Sequence, residues 1–102
     1  MIRLNYYMEK SNMQKIMLDA QYLLEKETAH EYLQEKLVFP DYYGKNLDAL
    51  YDCLSELVDV EIYIDTSFVD EWQKENSTYY YKMIRVFQAA ARENEELKLS
   101  LL

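Results

Sequence analysis

One glycine and one proline in 102 residues leave this chain few places to turn sharply. All-β folds rely on tight turns rich in both residues, so such an architecture is a poor fit. Helices and short strands joined by polar loops fit better. The length suits one domain. Half the residues are apolar or aromatic, which is enough for one modest core and too much for a disordered chain.

The hydrophobic pattern supplies the elements. Lys15-Ile16-Met17-Leu18 is a short apolar run that predicts a first strand. Thr28 followed by Glu31 has capping-box spacing, which predicts a helix start there. Leu33 and Leu37 continue that helix, and Pro40 stops it. Asn46 is placed to cap a second helix, whose apolar stripe is Leu47, Leu50, Leu54 and Leu57, with Cys53 beside it. Val58, Val60, Ile62 and Ile64 alternate with polar residues, the period of a strand buried on one face.

Thr66 or Ser67 opens a short third helix containing Phe68, Val69 and Trp72. Ser77 or Thr78 opens a fourth, with Tyr80, Ile84, Phe87 and Ala91 on one side. Leu97, Leu99 and Leu101 form a last strand. Strands separated by helical crossovers give a parallel sheet with right-handed connections. The expected fold is therefore α/β: a three-stranded parallel sheet with four helices gathered on one side, in a single domain. Residues Met1 to Gln14 fit this pattern poorly. They form either an extra edge strand or a loose arm, leaving 15–102 as the domain.

Charge narrows the functional classes. The net charge is −8, so direct nucleic-acid binding, which needs a basic surface, is not expected. From Asp41 to Asp65 there are seven acids and one base, which concentrates −6 of that charge in one window. A solvated acidic face and a docking site for a basic partner both accommodate it. The polar stripe of the second helix is Asp48, Asp52, Glu56 and Asp59, at four- and three-residue spacings. Like charges four apart cost roughly 0.2–0.5 kcal/mol per pair in an isolated helix. No base within the helix offsets them. Tyr42, Tyr43 and Tyr51 surround these acids, and tyrosine is common at interface hot spots. Tyr43 is balanced between core and surface, whereas Tyr42 and Tyr51 are expected to face out. Gly44, the only glycine, is expected where φ is positive or where a partner's backbone comes close.

Catalysis is poorly supported. Asp48 and Asp52 stand one turn apart and can be imagined holding Mg²⁺. However, His30 is the only histidine, Cys53 has no evident histidine partner, and one glycine cannot make a phosphate-binding loop. No metal and no cofactor are expected. The lone cysteine cannot form an internal disulfide, which suggests a reducing, cytoplasmic setting. The first residues show neither a signal peptide nor a membrane span.

The run Phe39-Pro40-Asp41-Tyr42-Tyr43-Gly44-Lys45-Asn46-Leu47-Asp48-Ala49-Leu50-Tyr51-Asp52-Cys53-Leu54 resembles the signature of the barstar family. That signature is a loop of Pro-acid-Tyr-Tyr-Gly-x-Asn followed by Leu-Asp-Ala-Leu-aromatic-Asp-Cys-Leu. The resemblance reaches back to Lys15 and forward to the last strand, with a one-residue slip near Phe68. It implies the fold expected above, and inhibition of a basic, extracellular-type ribonuclease by physical blockage.

By that resemblance, Asp52 matches the aspartate that enters the enzyme's phosphate site and meets its arginines and catalytic histidine. Asp48 matches a second acidic anchor. Tyr42 and Asn46 match contacts of the binding loop, with Gly44 and Leu47 at its edge. Tyr51 stands where the family's best-known member has tryptophan. Val86 matches an apolar contact, and Ala89 falls where that member has a glutamate, so one acidic anchor is missing. Glu93, one turn further on, is not assumed to replace it. The implied partner is the ribonuclease, with no membrane. The chain is expected to be a monomer, with self-association through the N-terminal arm left open. The alternative is a non-inhibitory acidic module for another basic protein.

Overall fold

The computed structural model describes residues 13–102. The elements run β1 (Gln14–Asp19), a 3-10 turn (Ala20–Leu23), α1 (Lys26–Lys36), α2 (Leu47–Ser55), β2 (Val60–Asp65), α3 (Glu71–Glu75), α4 (Thr78–Glu93) and β3 (Leu97–Leu101). The three strands form one sheet in the order β1-β2-β3, parallel throughout. This is the expected three-stranded parallel sheet with four α-helices. The residues predicted as an N-terminal arm, apart from Met13 and Gln14, lie outside the described residues; β1 begins at Gln14.

Register explains why one sheet face is core. Ile16, Ile62 and Leu99 stand abreast, as do Gln14, Val60 and Leu97. Val60, Ile62, Ile64, Leu18 and Leu97 are buried. The intervening residues form the other face, where Lys15, Glu61 and Lys98 make a row of alternating charge. None of those three is buried. Opposite charges abreast on neighbouring strands favour that register. Three helices, α1, α2 and α4, supply buried residues to the apolar layer, whereas α3 supplies none. Leu33 of α1, Leu50 and Leu54 of α2, and Met83, Phe87 and Ala90 of α4 are each fully buried. The helix that carries the acids, α2, packs against α4.

Local chemistry sets the helix ends, and several differ from the sequence expectation. α1 starts at Lys26 after Glu25, with no side-chain cap, so the Thr28–Glu31 pair lies inside the helix. Its end comes before Pro40 can act. Val38 takes φ 54°, and the Phe39 amide returns to the Gln34 carbonyl at 3.0 Å. That is a left-handed helix stop, normally built on glycine. The third helix is opened neither by Thr66 nor by Ser67. Asp70 caps it, in a capping box with Gln73. Phe68 therefore precedes α3, exposed, and Trp72 is exposed upon it. Ser77 caps α4 as expected, and its hydroxyl also donates to the Leu24 carbonyl at 2.6 Å. Val58 lies outside β2 and is exposed.

Candidate functional site

Asn46 fixes the start of α2: its Oδ1 accepts the Ala49 amide at 2.7 Å, and its Nδ2 donates to the Gly44 carbonyl at 3.3 Å. The loop before α2 is thus tied to its first turn. Gly44 does not have positive φ; Lys45 does, at 52°. What glycine provides is closeness. A Cβ on Gly44 would lie 3.2 Å from the Ala49 Cβ, so the loop rests directly on the helix.

Asp48, Asp52 and Glu56 are all exposed. Asp48 lies in the first turn of α2, where the positive helix end favours a carboxylate. Glu56 is the C-cap residue. Asp59 does not continue the stripe. The helix has ended, and Asp59 turns the chain into β2 with φ 53°. The acidic face is therefore three carboxylates, not four. Among the described residues, the only ion pair is Lys74–Glu71 on α3. No cation of the described chain lies within ion-pair reach of these three.

Asp52 lines a groove of about 390 Å³ between the loop and α2. Tyr42, Tyr43, Phe39 and Leu57 supply apolar walls, and Glu56 joins Asp52 among the lining residues. Tyr42 is 89% exposed, whereas Tyr43 is 6% exposed and packs on Phe39 at 4.9 Å between ring centroids. Tyr51 is half-buried against the core rather than free in solvent. Of the contact residues implied by the family resemblance, Tyr42, Gly44 and Asp52 meet in this groove. Asn46, Leu47, Asp48 and Tyr51 flank it on α2 and at its cap. Val86 and Ala89 are half-buried on α4 and do not line it.

Three residues at or near the groove were not anticipated in these roles. Val38 ends α1 and lines the groove. His30 is fully buried, and its Nδ1 lies 2.6 Å from the Tyr43 hydroxyl. Asn94, just past α4, donates from Nδ2 to the carbonyls of Leu54 and Leu57 at 3.0 and 2.9 Å, which anchors the far end of α2. For His30 the available signal was a lone histidine in an apolar stripe with Ala29 and Leu33. For Asn94 there was none beyond its place after a helix.

Chemically the site is suited to binding. Burial pushes the Cys53 thiol up, and the Glu56 and Asp52 carboxylates add to that, so it remains protonated. Among the described residues no group of three His, Cys, Asp or Glu side chains is placed to hold a metal ion. Among them, too, no helix is long and apolar enough to cross a membrane.

This small α/β domain sets unpaired carboxylates beside an aromatic-walled groove, an arrangement suited to docking a partner. Comparison with known proteins places it further. The chain matches the family described as "Barstar (barnase inhibitor)" over residues 13–102. It is also 39% identical, over 89 residues, to the Bacillus subtilis (strain 168) protein named "Putative ribonuclease inhibitor YrdF", covering 84% of this chain and 91% of that one. The chain belongs to the barstar family.

Proposed function

We propose that this protein inhibits a basic, barnase-like ribonuclease by blocking its active site with α2 and the loop before it. The observation that carries this reading is the state of Asp52. It is exposed, lacks a cationic partner among the described residues, and lines an aromatic groove. A ribonuclease holds the RNA phosphate with arginine, lysine and histidine. A carboxylate on a rigid helix can take the place of that phosphate, and arginine meets it with two parallel hydrogen bonds. The family description and the name of the Bacillus subtilis relative support inhibition as the role.

In this reading Asp52 is the central anchor and Asp48 the second. Tyr42, Gly44, Asn46 and Leu47 present the loop. Tyr51, Val86 and Ala89 border the contact. The protein acts in the cytoplasm as a monomer, through the domain that begins with β1, without catalysis or cofactor. The test is inhibition of barnase and a panel of basic microbial ribonucleases, with Asp52→Ala beside the unaltered chain. The substitution should weaken binding to the inhibited enzyme by at least ~2 kcal/mol, as is usual for interface anchors. An unchanged inhibition constant removes the assigned role of Asp52.

A second reading rests on Ala89, where the best-known family member carries an acid. The same face then holds a basic protein that is not a nuclease. Failure to inhibit any member of the panel, together with capture of a defined basic partner that Asp52→Ala abolishes, would favour it.

A further inference from the structure

Among the described residues, His30 is the one buried polar side chain apart from tyrosines, and it is fully enclosed. Its ring sits between two tyrosine hydroxyls. Nδ1 is 2.6 Å from Tyr43 in the loop, and Nε2 is 2.6 Å from Tyr79 in the first turn of α4. The ring comes from α1, so one side chain joins three separate parts of the fold. A neutral imidazole has one N–H and one bare nitrogen. One tyrosine must therefore donate to it while the other accepts from it.

Burial decides which. Tyr43 is 6% exposed, and among the described residues its hydroxyl has no other hydrogen-bond partner. Its proton has nowhere to go but Nδ1. Tyr79 is only half-buried, so it can accept from Nε2–H and offer its own proton to water. We propose that His30 is a positioning residue for the Tyr42–Asn46 loop, held as the Nε2–H tautomer that accepts the Tyr43 hydroxyl, and that charging the ring breaks this bond and loosens the loop. The inference deepens the inhibitory reading above and rests on it for its biological meaning.

A charged ring carries N–H at both positions. The Tyr43 hydroxyl can then only accept, and its buried proton loses its partner, which is costly in an enclosed site. The titratable groups around the ring offer no relief. Lys26 on α1 is positive and disfavours a second charge. Tyr43 from the loop, Tyr79 from α4, and Cys53 from α2, which acts on Tyr43, are each pushed up by burial first and remain neutral. The carboxylates of Asp52 and Glu56 act on Cys53, beyond the tyrosine. No carboxylate of the described residues lies within ion-pair distance of the ring.

The test uses the free protein, so its result does not depend on any nuclease. Long-range ¹H–¹⁵N spectra of the imidazole at pH 7.5 should show a single neutral Nε2–H form. As pH falls, the backbone amide signals of Gly44 and Asn46 should move with the same midpoint as the ring. In Tyr43→Phe, which keeps the aromatic packing, the ring should titrate without carrying those loop signals along. In Tyr79→Phe the coupling should persist. An Nδ1–H tautomer, loop amides that ignore the ring, or coupling that survives in Tyr43→Phe would each overturn the proposal. Failure of the chain to inhibit the ribonuclease panel at pH 7.5 would instead sink the inhibitory reading and leave these spectra to judge the relay.

Discussion

Asn94→Ala should destabilise the protein by about 2 kcal/mol, although the residue lies outside both the core and the proposed contact surface. Its amide makes three bonds. Nδ2 donates to Leu54 O at 3.0 Å and Leu57 O at 2.9 Å, and Oδ1 accepts the Glu96 amide at 3.0 Å. The Leu54 carbonyl keeps a second donor, the Leu57 amide at 3.3 Å. A net contribution of about 1 kcal/mol per bond sets an upper figure near 3. Asn94 is half-buried, so water recovers part of the loss. For a domain of this size about 2 kcal/mol corresponds to a fall in Tm of roughly 8–16 °C. Asn94→Asp should be worse than alanine. It keeps the bond to Glu96 but turns a carboxylate toward two carbonyl oxygens at the negative end of α2. Urea unfolding and thermal scans at pH 7.5 read both effects. A loss below about 0.5 kcal/mol for alanine, or an aspartate variant at least as stable as alanine, would refute the idea that Asn94 secures the end of α2.

Other outcomes follow from the same geometry. Val38→Gly should raise stability by about 0.5–1 kcal/mol in urea unfolding, because a β-branched residue at φ 54° is strained and glycine is not; a loss would show that the valine's place in the groove wall matters more. Burial first, and Lys26 second, lower the His30 pKa in the folded state, so the native form binds fewer protons than the unfolded chain. The associated stability is full above about pH 6.5 and is lost as pH falls below it, by at most about 1.4 kcal/mol per pH unit. Urea unfolding at pH 7.5, 6.5 and 5.5 checks this, and a stability that rises on acidification contradicts it. Association with an inhibited ribonuclease should slow about tenfold or more between low and physiological ionic strength in stopped-flow mixing. A rate indifferent to salt would remove long-range attraction from the account.

Much of the fold was legible because its strongest signals are local. The alternation through Val60, Ile62 and Ile64 marked β2, and the Leu50–Leu54 stripe after Asn46 marked α2. Boundaries were less legible where two residues could serve as caps. Thr28 and Glu31 have capping-box spacing, yet the helix had begun two residues before Thr28, and Asp70 with Gln73 forms the actual box. Positive φ was looked for at the only glycine and found at Val38, Lys45 and Asp59 instead. Valine and lysine have no preference for that conformation, so only Asp59, of a residue type that adopts it more readily, carried a local hint. In the site, Tyr42 and Asp52 could be picked out from sequence because the loop and helix are contiguous. The His30 relay could not, since Tyr43 and Tyr79 reach it from distant parts of the chain.

The parallel sheet has one further consequence. Among the described residues, Gln14 pairs with Val60, and Val60 with Leu97, so no strand there has a neighbour close by in sequence. These three strands offer no hairpin to nucleate their sheet, and long-range closure must come before it is stabilised. The acidic helix lies inside the first of those crossovers. Its carboxylates are therefore held in place only once the whole domain has closed. A half-made chain cannot display them as a rigid array, and partial unfolding should silence the surface all at once rather than residue by residue.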